Sequence, residues 1–167
     1  THNKVFSEAF YESFSEYCSA MNIIAEFTRF HPILKNFIFS EEHINITFDR
    51  KTMYLDLSGE QYDEVFKRFQ VSTKKQIKRA TGKYGLIVIT PDNPLEYIRD
   101  FYEIYVETML RVKSPSYLYF SIEYFESLIQ NVKSKLFIAL YENKPIAGII
   151  ALLGENIIHG HLGGAKT

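Results

Sequence analysis

Phe6, Phe10, Phe14 and Tyr17 recur at helical spacing, which predicts a helix over Val5 to Ala20. Met21 to Phe30 reads as a strand, ended by His31-Pro32. Ile44, Ile46 and Phe48 alternate with polar residues, as do Met53, Leu55 and Leu57. Asp49-Arg50-Lys51 lies between these runs, so they predict a hairpin. From Ser58 a long helix is expected. Tyr62, Phe66, Phe69, Thr73, Ile77 and Ala80 share one arc at about 100° per residue. Gly82 is placed to cap its end, and Leu86 to Thr90 reads as a short buried strand.

Asn93-Pro94-Leu95-Glu96 carries a helix start: a capping side chain, a proline suited to the first turn and a glutamate at the return position. Leu95, Ile98, Tyr102, Tyr105, Met109 and Val112 form the stripe of that helix, and Ser114-Pro115 stops it. A further helix is expected from Ser121 to Lys133, burying Phe125, Leu128, Ile129 and Val132. Leu136 to Tyr141, Pro145 to Leu153 and Ile157 to Leu162 then read as strands. Glu142-Asn143-Lys144 and Gly154-Glu155-Asn156 separate them, two hairpin signals in succession. The expected fold class is α/β in the α+β sense: a mixed, largely antiparallel sheet flanked by helices. A TIM barrel and a doubly wound nucleotide fold do not fit this order. The expected division is 1–57 and 58–167.

The 167 residues suffice for one or two small domains. With 46% hydrophobic and 23% charged residues, the chain is neither disordered nor collagen-like. Rings are abundant, 14 Phe and 12 Tyr without Trp, so core and clefts are expected to be aromatic. Cys18 is the single cysteine; no internal disulfide can form, and a reducing, cytoplasmic setting is expected, with Cys18 buried and inert. No apolar run reaches the roughly 20 residues that span a bilayer. The chain opens on Thr1 with neither an initiator Met nor a signal peptide, and is expected to be a piece of something longer.

The net charge of −1 hides an uneven distribution. Glu8, Glu12, Glu16, Glu26, Glu41, Glu42 and Asp49 dominate the start. From Val65 to Pro91 there is no acid, only Lys67, Arg68, Lys74, Lys75, Lys78, Arg79 and Lys83. Most of these bases oppose the apolar arc of their helix. Such a face is either a contact surface for phosphates or a solvated helix side. Arg29 and His31 share one face if their segment is a strand, as an anion-binding and proton-accepting pair or as a structural one. His159 and His161 share a face of the last strand, lining a pocket or packing; a metal would need a third ligand, and none is expected. Tyr117, Tyr119 and Phe120 lie between two helices, to line a groove or to fill the core. No nucleophile elbow, Walker loop or paired dinucleotide glycines occur.

An ordered series of segments resembles a known family. It begins at Glu26-Phe27-Thr28-Arg29-Phe30-His31-Pro32. Lys74 to Ala80 follows, then Phe101 to Tyr105, Tyr117 to Phe120, Leu136 to Ala139, Lys144 to Gly148 and Ile158 to Ala165. The series is similar to the FemAB-related branch of the GNAT-like acyltransferases. The resemblance implies paired GNAT-like subdomains, residues 1–57 ending one and 58–167 forming most of another. It implies transfer of an acyl or aminoacyl group to an amine on a nucleotide-linked glycan or peptide precursor of the cell envelope. The donor would be acyl-CoA or aminoacyl-tRNA; no tightly bound cofactor is expected, and tRNA and a second copy are candidate partners. His31, His161 and Tyr119 are the candidate catalytic residues, and Arg29, Lys75, Lys78 and Arg79 the candidate substrate contacts. The glycine loop that opens a helix against a CoA pyrophosphate in such enzymes is missing. The donor site is therefore expected to be completed outside this chain, which alone is expected to transfer little. The alternative is a non-catalytic module that holds RNA or an acidic partner on the basic helix.

Overall fold

The computed structural model describes residues 4–57, 59 and 61–167. It divides into two units, Thr1–Gly59 and Glu60–Thr167. In the first, the expected helix forms as α1 (Lys4–Ala20). Its inward face is not the phenylalanine stripe. Phe6, Phe10 and Tyr17 are exposed, whereas Ser7 is buried and Tyr11, Phe14 and Cys18 are half-buried. Ser7 Oγ donates to the Phe39 carbonyl at 2.6 Å, and Tyr11 stacks on His43 with centroids 4.4 Å apart. Polar links therefore choose the face. The Lys4–Glu42 ion pair is exposed and adds little. The strand expected over 21–30 and the hairpin expected over 44–57 do not form. Ile24, Phe27, Phe48 and Met53 are at least four-fifths exposed. Alternation names a buried face only when other strands and a covering layer exist, and a lone hairpin is marginal. Among the described residues this unit supplies neither.

The long helix expected from Ser58 is broken; Ser58 itself lies outside the described residues. α2 (Tyr62–Arg68) ends where Phe69 and Gln70 turn extended, and α3 (Val71–Lys78) restarts. Val71, Ser72 and Thr73 are weak helix formers, which favours the break there. Lys74 Nζ donates to the Lys67 carbonyl, filling an acceptor that the broken ladder frees. Gly82 does not cap the helix. It lies within a π turn over Arg79–Lys83, and the left-handed residue is Gly85, with φ of 63°.

β1 (Ile87–Ile89), β2 (Ser134–Tyr141), β3 (Lys144–Leu153) and β4 (Ile158–Ala165) form one sheet in the order β1-β2-β3-β4, antiparallel throughout. The class is α+β, and the two expected hairpins are present. At the β2–β3 turn Glu142 and Asn143 both have positive φ, which matches the twist of the strands. Pro145 stands in a central strand, and the register slips beside it, from Ala139↔Ala147 to Leu140↔Pro145.

α4 (Ile98–Arg111) and α5 (Ile122–Asn131) pack against the sheet. Asn93 caps, as expected, the 3-10 turn Pro94–Tyr97 that leads into α4, and Ser121 caps α5. Ile98, Phe101, Tyr105, Phe125, Leu136, Ile138 and Ile150 form the core. Phe101 and Ile104, absent from the stripe read in the sequence, are fully buried, while Val112 is exposed. Phe125 is the hub, edge-on to Phe101 at 5.3 Å and to Tyr105 at 5.1 Å. α4 comes this close because β3 and β4 are bare beneath it. A Cβ on Gly148 would stand 2.8 Å from Phe101 Cδ2, and one on Gly164 2.7 Å from Thr108 Oγ1. Gly148→Ala is expected to cost about 1–3 kcal/mol through overpacking. Gly82→Ala, with open space and no positive φ, is expected to be neutral or to gain up to about 1 kcal/mol. Urea denaturation midpoints of the two variants check both.

Candidate active site at the bulge of β4

The last strand carries an irregularity that its sequence does not announce. Ile150 pairs with Leu162, but Ala151 pairs with Gly160, so His161 is the extra residue of a β-bulge. Regular alternation would turn His161 and Leu162 to opposite faces. Here a Cβ at Gly160 or at Gly163 would meet Ile149 on the open face, whereas Leu162 packs against the core. His161 reaches the same side: its Nε2 lies 3.0 Å from Tyr124 Oη on α5. The bulge thus sets His161 and Leu162 side by side on the face under the helices.

Tyr124 is itself held. Phe120 stacks on it with centroids 4.4 Å apart, and Phe125 meets it edge-on at 5.4 Å. Tyr105 donates its hydroxyl to the Leu118 carbonyl at 2.6 Å, pinning the turn Ser116–Leu118 that leads to Phe120. Burial pushes the Tyr105 phenol up, with a smaller push from Tyr124. Burial likewise holds His161 below its ordinary value, helped by His159, whose ring lies 6.3 Å away. His161 and Tyr124 are both half-buried, dry enough to keep the imidazole neutral and open enough to be reached.

The other candidate residues are placed differently. His31 and Arg29 are in the first unit, where among the described residues no strand aligns their side chains. His31 Nδ1 accepts the Leu34 N–H at 3.2 Å, a turn-holding role, and the Arg29 guanidinium stands 5.6 Å from the Phe27 ring centroid. Tyr119 is partly exposed beside Phe120. Tyr117 is three-quarters exposed, so neither the core nor a closed groove holds it. Lys75, Lys78 and Arg79 are exposed, as the helical arc requires. Arg79 donates from Nε to Tyr84 Oη at 3.0 Å, and the Lys83 ammonium lies 5.6 Å from the same ring. Among the described residues Lys75 and Lys78 make no ion pair. An open groove of about 640 Å³ in the first unit is lined by Glu8, Glu12, Glu16, Glu26 and His43. Four carboxylates there disfavour a phosphorylated ligand. Among the described residues no group of three His, Cys, Asp or Glu converges as a metal site, and no helix is long and apolar enough to cross a membrane.

The sequence is matched by no protein-family model and by no curated protein. The functional reading therefore rests on the residues and their geometry.

A neutral histidine with a depressed folded-state value has a stability signature. The unfolded chain binds the proton first, so stability is full above the unfolded value and falls as the pH drops through the folded one. The melting temperature is expected to fall on acidification below about pH 6.5, and to fall less in His161→Gln. Calorimetric scans of both proteins across pH 7 to 5 check this.

Proposed function

We propose that this chain is an N-acyltransferase, or the part of one that carries its acid–base centre. It moves an acyl or aminoacyl group from an activated donor to an amine. The observation that carries the reading is the bulged strand with a neutral, half-buried histidine aimed at a tyrosine. Direct acyl transfer needs aligned substrates, donors for the developing oxyanion and an acceptor for the amine proton. A bulge interrupts the ladder at its extra residue, here His161, and a backbone N–H left out of a ladder in this way is of the kind that holds an oxyanion. No covalent enzyme intermediate is needed.

The resemblance of the ordered segments to FemAB-related acyltransferases supports the same reading. It suggests an acyl-CoA or aminoacyl-tRNA donor and an amine on a nucleotide-linked envelope precursor. Lys75, Lys78 and Arg79 are the exposed cations offered to the phosphates of such substrates. Cytoplasmic residence fits the lone thiol. β4 is the last strand of its sheet, and an open edge of this kind is where a second copy would pair.

A second reading is favoured by the acid-free, exposed face of α3. It makes the chain a binding module for RNA or an acidic partner, without catalysis. Transfer assays separate the two. A thioester donor and an aminoacyl-RNA donor are each incubated with this chain and a panel of primary amines. Formation of a new amide supports the enzyme. Salt-sensitive RNA binding without any amide supports the module and sinks the enzyme.

In the transfer reading, His161→Gln is expected to lower kcat by about 10²–10⁴. Neutralising Lys75 and Lys78 together is expected to raise KM for a phosphorylated substrate several-fold at low salt and to leave kcat unchanged. That KM effect should shrink as salt is added. Steady-state kinetics at two ionic strengths check both outcomes.

A further inference from the structure

We propose that Tyr124 and His161 form a two-member proton relay, in which the phenol touches the reacting amine and the imidazole behind it stores the proton. The proposal rests on the acyl-transfer reading and specifies how that site handles its proton. Three geometric facts carry it. Tyr124 Oη and His161 Nε2 are 3.0 Å apart, so Nε2 is occupied by the phenol and faces no substrate directly. Phe120 and Phe125 clamp the tyrosine ring, which fixes where its oxygen points. The extra residue in β4 sets His161 beside Leu162 on one face, the face that the helices cover. A buried packing histidine needs none of these devices.

The titratable groups around the pair are His159 on β4 and Tyr105 on α4. Neither is an acid that would hold the imidazole charged. Neutral His161 therefore accepts the Tyr124 O–H at Nε2 and carries its own proton on Nδ1. The step then balances. The neutral amine attacks the acyl carbon, and the C–N bond forms. The amine N–H proton passes to Tyr124 Oη while the phenolic proton passes to Nε2. The tetrahedral adduct collapses, the acyl–sulfur or acyl–oxygen bond breaks, and the imidazolium proton returns through Tyr124 to the leaving thiolate or alkoxide. An amide and a thiol or alcohol result, and both side chains regain their starting state.

The test pairs nitrogen NMR of the imidazole with kinetics. Wild-type protein, Tyr124→Phe and His161→Gln are compared, the last to assign the His161 signals. The expected wild-type ring is a single neutral tautomer with the proton on Nδ1. Tyr124→Phe should mix the tautomers and move the titration of the ring. It should also lower kcat about 10–100-fold with KM little changed, because the ring and its packing stay. A wild-type proton on Nε2 overturns the relay whatever the activity. Wild-type turnover by Tyr124→Phe overturns it while the acyl-transfer reading stands. If the ring shows the expected tautomer and no donor is consumed by any chain tested, the acyl-transfer reading falls. The relay falls with it, and the nitrogen shifts distinguish that failure from the other two.

Discussion

Phe101 seated on the bare backbone of Gly148 fixes the gap between α4 and the sheet, and the candidate site inherits its geometry from that gap. With α4 drawn in, Tyr105 lies beside Phe125 and its hydroxyl reaches the Leu118 carbonyl. That bond holds the turn before Phe120. Phe120 in turn stacks on Tyr124, and Tyr124 meets His161. The steps are ring contacts joined by one hydrogen bond from a buried side chain to the backbone. A site built this way varies little in geometry, because each ring has a neighbour on more than one side. At the far end, Thr108 Oγ1 accepts the Ala165 N–H at 3.0 Å and Arg111 donates to the Ala165 carbonyl at 2.8 Å. These bonds hold the strand that presents His161 along the same helix.

The second unit was largely legible because its local and tertiary signals agree. Asn93 caps where it should, the helix expected from Ser121 starts there, and the hairpin signals fall between strands that pair in sequence order. The first unit misled because a strand is a non-local object. The alternation of Ile44, Ile46 and Phe48 describes a surface that fits a sheet, and no sheet is supplied there. α1 misled differently. Its most apolar stripe points outward, since a serine hydroxyl and a tyrosine–histidine stack decide which side turns in. At the site, His161 was readable as one of two histidines on a strand. Tyr124 was not, since it precedes the buried Phe125 and carries no motif. A tertiary contact between α5 and β4 brings the two together, and no residue of either element declares it.

The basic surface has its own internal logic. Interrupting the long helix at Phe69 and Gln70 leaves α3 short, and the π turn after it folds Lys83 back toward Arg79 across Tyr84. Positive charge is thereby gathered at one end of α3. Tyr84 stands within cation–π distance of both, its ring centroid 5.2 Å from the Arg79 guanidinium and 5.6 Å from the Lys83 ammonium.

The bulge in β4 is a mismatch in contour length: between Gly160 and Leu162 the strand carries one residue more than its partner has room for. Deleting that residue would give a better strand, with an unbroken ladder and strict alternation. It would also empty the place opposite Tyr124. Here the requirements of the sheet and of the site oppose each other at a single position, so selection for stability alone would be expected to remove the extra residue.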